Sequence, residues 1–271
     1  MAVIIIILVA FVLFFIYVLL TCGRAGNSQV SKLLGIAYAH RGLHSDIVPE
    51  NSMEAFQLAK VHGYGVELDV HLLKDDSLAV FHDTSLDRMT GRSGRIVDLT
   101  SGELVDYKLR NTEYHIPLLN DVLTLFNGEV PLIVELKSVD SNYATLCKCA
   151  CELLDKYTGI YCIESFDPRC IYWLKKHRPE LIRGQLSQNF IKSSKSKMPW
   201  LLKFVMANHL LNFLTRPDFV AYRFSDRKTL SNWFCRRFWK LQMVGWTIHT
   251  QEAYEQAISE GWIPIFENFT P

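Results

Sequence analysis

The sequence predicts an α/β protein, a closed (β/α)8 or TIM barrel with a small insertion after the second strand, preceded by one N-terminal transmembrane helix. Three observations support this prediction. The chain begins with an unbroken apolar run, the remainder alternates short apolar runs with amphipathic stretches, and the short runs number eight. An open doubly wound sheet is the alternative architecture. With 49% hydrophobic and 21% charged residues and a net charge of +1, the composition of the 271 residues excludes a disordered chain.

The apolar run at 3–20 is long enough to span a bilayer, which takes roughly 20 residues as a helix. Its length, and the absence of a basic residue before it, differ from a secretory signal. We therefore predict an uncleaved transmembrane anchor over 1–22 and a small polar linker over 23–34. Arg24 and Lys32 follow the run, so the positive charge places the folded domain on the cytoplasmic side. The odd count of seven cysteines fits a reducing compartment with free thiols.

The folded domain is expected over 35–271. The eight predicted barrel strands are apolar runs at 36–39, 66–70, 132–136, 160–164, 182–186, 219–222, 243–248 and 264–267. Predicted helices lie between most of them, at 52–62, 118–126, 142–157, 168–177, 198–213, 225–239 and 251–260. Ser52 is a good N-cap for the first of these helices, and Pro168 suits a first helical turn.

The alternation is interrupted once, after the second strand. About fifty residues between Val70 and Leu118 contain one short predicted strand, 78–81, and turn-rich sequence such as 90–94 (TGRSG). We interpret the region from about 71 to 117 as an insertion in the barrel.

Charged side chains cluster where the first three predicted barrel strands end, which is where active sites lie in such barrels. Glu67 and Asp69 are two residues apart on the second strand, so they share a face, and Glu135 and Lys137 do the same on the third. If that face is the barrel lumen, three carboxylates converge there, and burying them unpaired costs several kcal/mol each. A divalent cation removes the conflict. Oxygen ligands favour Mg²⁺ or Ca²⁺, with Glu50 in the first loop as a fourth candidate ligand.

The first strand ends in His40 and Arg41, and His82 follows the short extra strand. Arg41 has a planar fork of donors suited to two phosphate oxygens. His40 and His82 titrate near neutral pH, so they can take and give protons across the cleft. Each of these residues alone has an ordinary structural explanation. Their conjunction at the ends of three neighbouring strands indicates an active site.

Longer motifs around these residues resemble the glycerophosphodiester phosphodiesterase family, in its membrane-anchored bacterial type. They are 39–42 (AHRG), 49–52 (PENS), 67–70 (ELDV), 80–88 (VFHDTSLDR), 116–119 (IPLL), 135–137 (ELK) and 245–248 (GWTI). The resemblance covers about 36–271 and implies a TIM barrel with a small insertion after strand two. It also implies a role for each candidate residue: general acid–base catalysis for His40 and His82, phosphate binding for Arg41 and Lys137, a wall of the glycerol pocket for Trp246, and metal binding for Glu67, Asp69, Glu135 and the nearby Glu50.

Two positions depart from the family pattern. His249 stands where Asn is frequent, and Glu267 lies in 266–269 (FENF) where an Asp-containing motif is common. Both belong to the pocket wall, so they concern substrate preference more than chemistry. His44 is near the site in sequence, and we expect it to be an exposed loop histidine.

These residues predict metal-dependent hydrolysis of glycerophosphodiesters to glycerol 3-phosphate and an alcohol. Lysophospholipase D-type hydrolysis of membrane lysophospholipids by the same residues is the alternative. A non-catalytic membrane scaffold is expected to lack a histidine or a metal carboxylate, and all of them are present.

A basic and apolar segment at 191–215 bears on the expected partners. It is either an ordinary barrel helix behind a lysine-rich loop or an amphipathic helix resting on anionic lipid. No nucleic-acid-binding motif accompanies its charge. The expected partners are therefore a small-molecule diester and membrane lipid, with no nucleic acid.

Overall fold

The computed structural model describes residues 1–192 and 198–271. Within those residues, eight parallel strands form a closed barrel, in which the first strand pairs with both the second and the last. The barrel strands are β1 (Tyr38–His40), β2 (Gly65–Leu72), β4 (Leu132–Leu136), β5 (Tyr161–Ser165), β6 (Arg183–Ser187), β7 (Phe219–Arg223), β8 (Gln242–Ile248) and β9 (Trp262–Phe266). The strand β3 (Leu78–Val80) pairs antiparallel with β2 outside the barrel. The predicted TIM barrel is confirmed.

The helices of the described residues lie outside the barrel strands, and most of them connect successive strands. They are α1 (Ala2–Leu20), α2 (Met53–Val61), α3 (Asp87–Thr90), α4 (Leu119–Phe126), α5 (Tyr143–Leu154), α6 (Pro168–His177), α7 (Trp200–Ala207), α8 (Asn212–Thr215), α9 (Leu230–Trp233) and α10 (Gln251–Ser259). Short 3-10 segments lie at Ser28–Leu33, Ile96–Asp98, Ser101–Asp106 and Phe224–Asp226, and a π-helical turn at Phe234–Phe238 follows α9. Ser52 caps α2, as predicted, by accepting a hydrogen bond from the Ala55 amide.

The helix predicted over 198–213 is interrupted. Between α7 and α8, His209 adopts a φ of +57°, a left-handed conformation that an α-helix cannot contain. The histidine is buried, and its Nε2 lies 2.7 Å from Oδ1 of Asn232. Tertiary contacts therefore override the helical pattern. Lys195 and Lys197 of the basic segment lie outside the described residues.

The helix predicted over 225–239 is also interrupted. The 3-10 turn Phe224–Asp226 comes first, and α9 begins only after Thr229, whose side chain accepts a hydrogen bond from the Asn232 amide. A threonine at this position is a helix start signal that the apolar pattern conceals.

The barrel strands are buried on both faces, which explains why they read as continuous apolar runs. Side chains that point into the lumen, such as Ile133 and Cys162, form one core cluster. Side chains that point outward, such as Leu68 and Val134, pack under the helices with Phe56. Alternate residues of each strand therefore line the lumen, and Glu67 and Asp69 follow that alternation.

The insertion forms a small unit with its own apolar core. The core is made by Phe81, Leu86, Met89, Ile96 and Leu99, together with their neighbours. This unit extends from the β2–β3 hairpin to Leu118, where an isolated bridge to Ala79 returns the chain to the barrel. It places His82 and Asp83 beside the ends of the barrel strands.

Residues 23–34, predicted as a linker, pack against the N-terminal end of the barrel. Val30 and Leu33 are buried in the lumen cluster, and Arg24 forms an ion pair of 2.5 Å with Asp218. Before them, α1 has the length and hydropathy of a membrane span. Membrane anchors and N-terminal signal sequences share these properties.

Candidate active site

Three buried carboxylates meet near the C-terminal ends of β2 and β4. Glu67, Asp69 and Glu135 each place one oxygen within 4.8 Å of the others, and all three residues are buried. Asp69 lies beside Glu135 in the register of β2 and β4, which brings the two carboxylates together. The strand spacing thus produces the cluster that the sequence predicts.

Two cations contact this cluster. The Nζ atom of Lys137 lies 2.9 Å from Oδ1 of Asp69 and 2.7 Å from Oε1 of Glu135. The Nε atom of Arg41 lies 3.3 Å from Oδ2 of Asp69. Burial favours the neutral acid, but the charges of Lys137 and Arg41 outweigh it and hold the pKa of Asp69 well below its usual range. Asp69 is therefore ionised at neutral pH.

Carboxyl groups outnumber cationic groups in this part of the lumen. Burial, together with repulsion from Asp69 and Glu135, raises the pKa of Glu67 well above its ordinary value. Burial also raises the pKa values of Glu135 and of Glu164, which lies beside Glu135 in the register of β4 and β5. Buried carboxylates that repel one another are stabilised by a cation between them. The donor set, all carboxylate oxygens, fits a hard divalent cation such as Mg²⁺ or Ca²⁺.

Glu50, the fourth metal candidate, lies outside this group. Its Oε1 atom is 2.7 Å from Arg41, and both of its oxygens accept hydrogen bonds from Arg88 in the insertion. Burial favours its neutral form, but the hydrogen bonds from Arg88 and the charge of Arg41 lower the pKa of Glu50 to about 2. Its carboxylate is therefore engaged in holding the two guanidinium groups.

His40 belongs to a second cluster, formed where the first and last strands meet. Its Nδ1 atom lies 3.3 Å from Oε1 of Glu267, and its Nε2 atom lies 3.9 Å from Oε2 of Glu67. Burial lowers the pKa of His40, while its contact with Glu267 opposes that shift. The ring thus connects the carboxylate cluster with Glu267.

The expectation that His44 is an exposed loop residue is wrong. Its side chain is only 8% exposed, and its Nε2 lies 2.9 Å from Oε1 of Glu267. Burial opposes ionisation of Glu267, but the two histidines outweigh it and keep its pKa below the usual range. His249 lies farther out, 52% exposed, with Nδ1 at 3.5 Å from Oε2 of Glu267. The two positions that depart from the family pattern therefore meet each other beside His40.

His82 is held by its neighbour in sequence. Its Nδ1 lies 2.6 Å from Oδ1 of Asp83, and Arg88 donates to the other oxygen of Asp83 at 2.5 Å. Burial favours the neutral acid, but these contacts lower the pKa of Asp83. A charged carboxylate at Nδ1 fixes the orientation of the ring, and the Nε2 atom takes no part in that contact.

Aromatic side chains line another part of the opening at the C-terminal ends of the barrel strands. Trp246 packs edge-on against Phe166 at 5.6 Å, and the guanidinium of Arg223 lies 5.3 Å from its ring. Beside Lys137 a groove of about 520 Å³ is lined by Phe166, Leu202 and Met206. The site therefore combines a charged centre with an apolar extension.

Three residues of the site were not predicted as such, Asp83, Arg88 and Glu164, and Glu267 was expected in the pocket wall but not as a partner of His40 and His44. Glu164 had a usable signal, because it is a carboxylate at the end of a predicted barrel strand. Asp83 and Arg88 lie inside a motif quoted for the family resemblance, although no role was assigned to them. Glu267 and His44 are 223 residues apart, so no spacing rule connects them.

A model of the glycerophosphoryl diester phosphodiesterase family matches residues 40–222. The chain belongs to this family. The matched region begins at His40 and contains His82, Lys137 and the three clustered carboxylates.

Individual glycerophosphodiester phosphodiesterases and a related enzyme are similar to this chain in sequence. A glycerophosphodiester phosphodiesterase of Caldanaerobacter subterraneus subsp. tengcongensis is 32% identical over 239 residues, which cover 83% of this chain and 90% of that protein. One from Bacillus altitudinis is 38% identical over 113 residues, 39% of this chain and 46% of the relative. A rat lysophospholipase D is 35% identical over 132 residues, 44% of this chain and 40% of that protein. The matches to the Bacillus and rat proteins thus span less than half of their lengths.

Solved structures share the fold. An Oleispira antarctica phosphodiesterase, crystallised with the product sn-glycerol-3-phosphate, superimposes with a TM-score of 0.69 at 22% identity, covering 87% of this chain and 94% of that chain. A putative glycerophosphoryl diester phosphodiesterase from Silicibacter pomeroyi gives a TM-score of 0.71 at 20% identity, covering 89% of this chain and 94% of that chain.

Proposed function

We propose that the protein hydrolyses glycerophosphodiesters to glycerol 3-phosphate and a free alcohol, using a divalent metal and the pair His40 and His82. The observation that carries this proposal is the meeting of three buried carboxylates with Arg41 and Lys137 at one end of the barrel. Such a centre suits a phosphodiester, whose single negative charge needs cations and whose leaving oxygen needs a proton.

The proposed reaction exchanges one P–O bond for another. The oxygen of water, or of the substrate's own glycerol 2-OH, attacks phosphorus, and the bond to the departing alcohol oxygen breaks. One histidine takes the proton of the attacking hydroxyl and the other gives a proton to the leaving alcohol. Attack by the 2-OH forms a cyclic phosphate, which a water molecule then opens to the same glycerol 3-phosphate.

The side chains have separate tasks in this proposal. Glu67, Asp69 and Glu135 would hold Mg²⁺ or Ca²⁺, which when bound would neutralise charge on the phosphoryl oxygens and lower the pKa of the attacking hydroxyl. Arg41, held by Glu50, and Lys137 bind the phosphate oxygens. Trp246 covers the glycerol side of the opening.

A head-group panel of glycerophosphodiesters, assayed with Mg²⁺ and then with Ca²⁺, tests the proposal. We expect release of glycerol 3-phosphate from at least one diester and none after exhaustive chelation. Turnover of these diesters in the absence of divalent cation would contradict it.

Lysophospholipid hydrolysis is the second candidate function, and the apolar groove beside Lys137 favours it. Phe166, Leu202 and Met206 offer a surface that a soluble head group does not need. One of the similar proteins is named a lysophospholipase D. The ratio of kcat/KM for lysophosphatidylcholine to that for glycerophosphocholine separates the two candidates.

We further propose that α1 anchors the enzyme in a membrane with the barrel on the cytoplasmic side. All seven cysteines, which fall in the described residues, are free thiols, and this supports a reducing compartment. Protease protection in spheroplasts and in inverted vesicles tests the orientation. Digestion of the barrel in intact spheroplasts would place it on the other side.

A further inference from the structure

The helix α1 runs side by side with the segment 208–216 and in the same direction. The Tyr17 hydroxyl donates to Oδ1 of Asn208 at 3.1 Å, and lower down the Asn212 amide donates to the Thr21 carbonyl at 3.4 Å. Below these, Arg216 donates to the carbonyl of Gly23 at 3.4 Å. These three contacts follow one another in the same order along α1 and along the segment 208–216, so the two run in the same direction.

The candidate site lies at the C-terminal ends of the barrel strands, here called the catalytic end. The segment 208–216 runs from this end of the barrel to the opposite end. Just before it, Ser187 and Tyr222, at the C-terminal ends of β6 and β7, donate to the carbonyls of Met206 and Ala207. Just after it, the chain reaches Asp218, which precedes the first residue of β7. Tyr17 therefore lies level with the catalytic end, and the earlier residues of α1 continue beyond it.

The continuing part of α1 is long enough to cross most of the hydrocarbon core of a bilayer. Residues 1–16 are exposed, and the fifteen of them that belong to α1 reach about 22 Å at 1.5 Å each, against roughly 30 Å for the hydrocarbon core. Because α1 is a single continuous helix, this apolar rod projects from the same side of the barrel on which the active site opens.

More apolar surface lies at that end. Trp200 and Leu201, at the start of α7, are each 66% exposed, and the Trp200 ring stacks on Phe204 at 5.7 Å. Their neighbour Leu202 lines the groove beside Lys137. Exposed tryptophan next to aliphatic side chains suits the interface between lipid head groups and hydrocarbon.

We infer that the catalytic end of the barrel faces the bilayer that holds α1, with Trp200 and Leu201 at the lipid interface and the groove open to it. Amphiphilic diesters then enter the site directly from the lipid surface. The inference rests on the proposed membrane anchoring. The occupant of this surface is phospholipid rather than a second copy of the chain, because the surface is continuous with a helix suited to hydrocarbon.

Fluorescence quenching tests this orientation without an activity assay. The full chain is reconstituted in phosphatidylcholine vesicles that carry a quencher near the head group. We expect Trp200→Phe to reduce the quenched part of the tryptophan emission, and Trp173→Phe, a change on the half-buried wall helix α6, to leave it unaltered. Equal quenching in the wild type and in Trp200→Phe would overturn the inference.

An activity assay tests its consequence. The double variant Trp200→Glu with Leu201→Glu is expected to lower kcat/KM for lysophosphatidylcholine in vesicles by about tenfold, through weaker contact with lipid, and to leave glycerophosphocholine hydrolysis unchanged. Ile258→Glu, at an exposed apolar residue of α10, is the matched control and should change neither rate.

The fluorescence and activity experiments distinguish failure of the proposed function from failure of the proposed orientation. A wild type that cleaves neither diester contradicts the proposed function, whereas the quenching result still decides the orientation. Equal loss of both activities in the double variant, or a changed oligomeric state in detergent, would assign Trp200 and Leu201 to the catalytic fold or to a contact between copies and would overturn the inference.

Discussion

The Nδ1 atom of His40 lies 3.3 Å from Oε1 of Glu267, at the seam where the first and last strands close the barrel. Ala39 pairs with Phe266 in that seam, so the next residue of each strand falls on the same rim. The proposed catalytic histidine is thereby oriented by a carboxylate from the far end of the chain.

Replacing Glu267 by Gln is expected to lower kcat about tenfold, less than the roughly 100-fold effect of losing a general acid or base itself, because His40 loses its charged partner. The charge of Glu267 raises the pKa of His40 against the effect of burial. Its removal lowers that pKa further, so the limb of the pH profile that His40 controls should move to lower pH. Steady-state kinetics between pH 5 and 9 measure both effects. Glu255→Gln, an exposed carboxylate of α10, is the control. An unshifted profile would exclude this role for Glu267.

His40→Ala and His82→Ala are each expected to reduce turnover of glycerophosphodiesters by about 100-fold or more, the scale of general acid–base catalysis. Both side chains lie at the ends of strands rather than in the packed core, so circular dichroism should show a folded barrel. Near-full activity in either variant would refute the two-histidine assignment.

Divalent cation is expected to raise the melting temperature of the wild type, because a ligand that binds only the folded state stabilises it. Glu67→Gln should lose both activity and this shift. Without metal, however, the variant should melt no lower than the wild type, since it removes a carboxylate that Asp69 and Glu135 repel. Glu164→Gln, a change at a buried carboxyl whose pKa is also raised, should keep the shift. Scanning calorimetry with EDTA and with Mg²⁺ distinguishes these outcomes. A wild type without any metal-dependent shift would refute the metal site.

Acid should destabilise the barrel partly through His209. Burial lowers its pKa to about 4, whereas the unfolded chain has the ordinary value near 6.5. The stabilising contribution of the neutral ring is complete above pH 6.5 and is lost as the pH falls toward 4. Between pH 7.5 and 5.5 the loss amounts to about 1 kcal/mol. Urea unfolding at these two pH values should show a smaller difference in His209→Gln than in the wild type. Equal differences would show that His209 does not contribute.

The barrel and the central carboxylates could be predicted from the sequence because both depend on short-range spacing. The alternation of β2 places Glu67 and Asp69 on one face, and the same rule applies to Glu135 and Lys137. Contacts between distant residues could not be predicted in this way. Glu267 meets His44 only because the barrel closes, and Glu50 turns to Arg88 only because the insertion folds over the first loop.

The predicted helix boundaries were wrong for a related reason. An apolar pattern predicted one helix over 198–213, but His209 turns inward to Asn232 and the helix stops. A buried polar side chain needs its partner, and that requirement exceeds the small propensity for continuing a helix.

The change from exposed apolar helix to packed domain occurs within α1 rather than after its last residue. Val18 and Cys22 are buried against the barrel, the Trp239 indole donates to the Val18 carbonyl, and Leu33 fills the closed end of the lumen. A shortened, water-soluble version of this protein should therefore retain the last turn of α1 and everything that follows it. Cutting at the start of the compact barrel, near residue 35, would remove not only the apolar helix but also the side chains that close the N-terminal end of the lumen, such as Leu33.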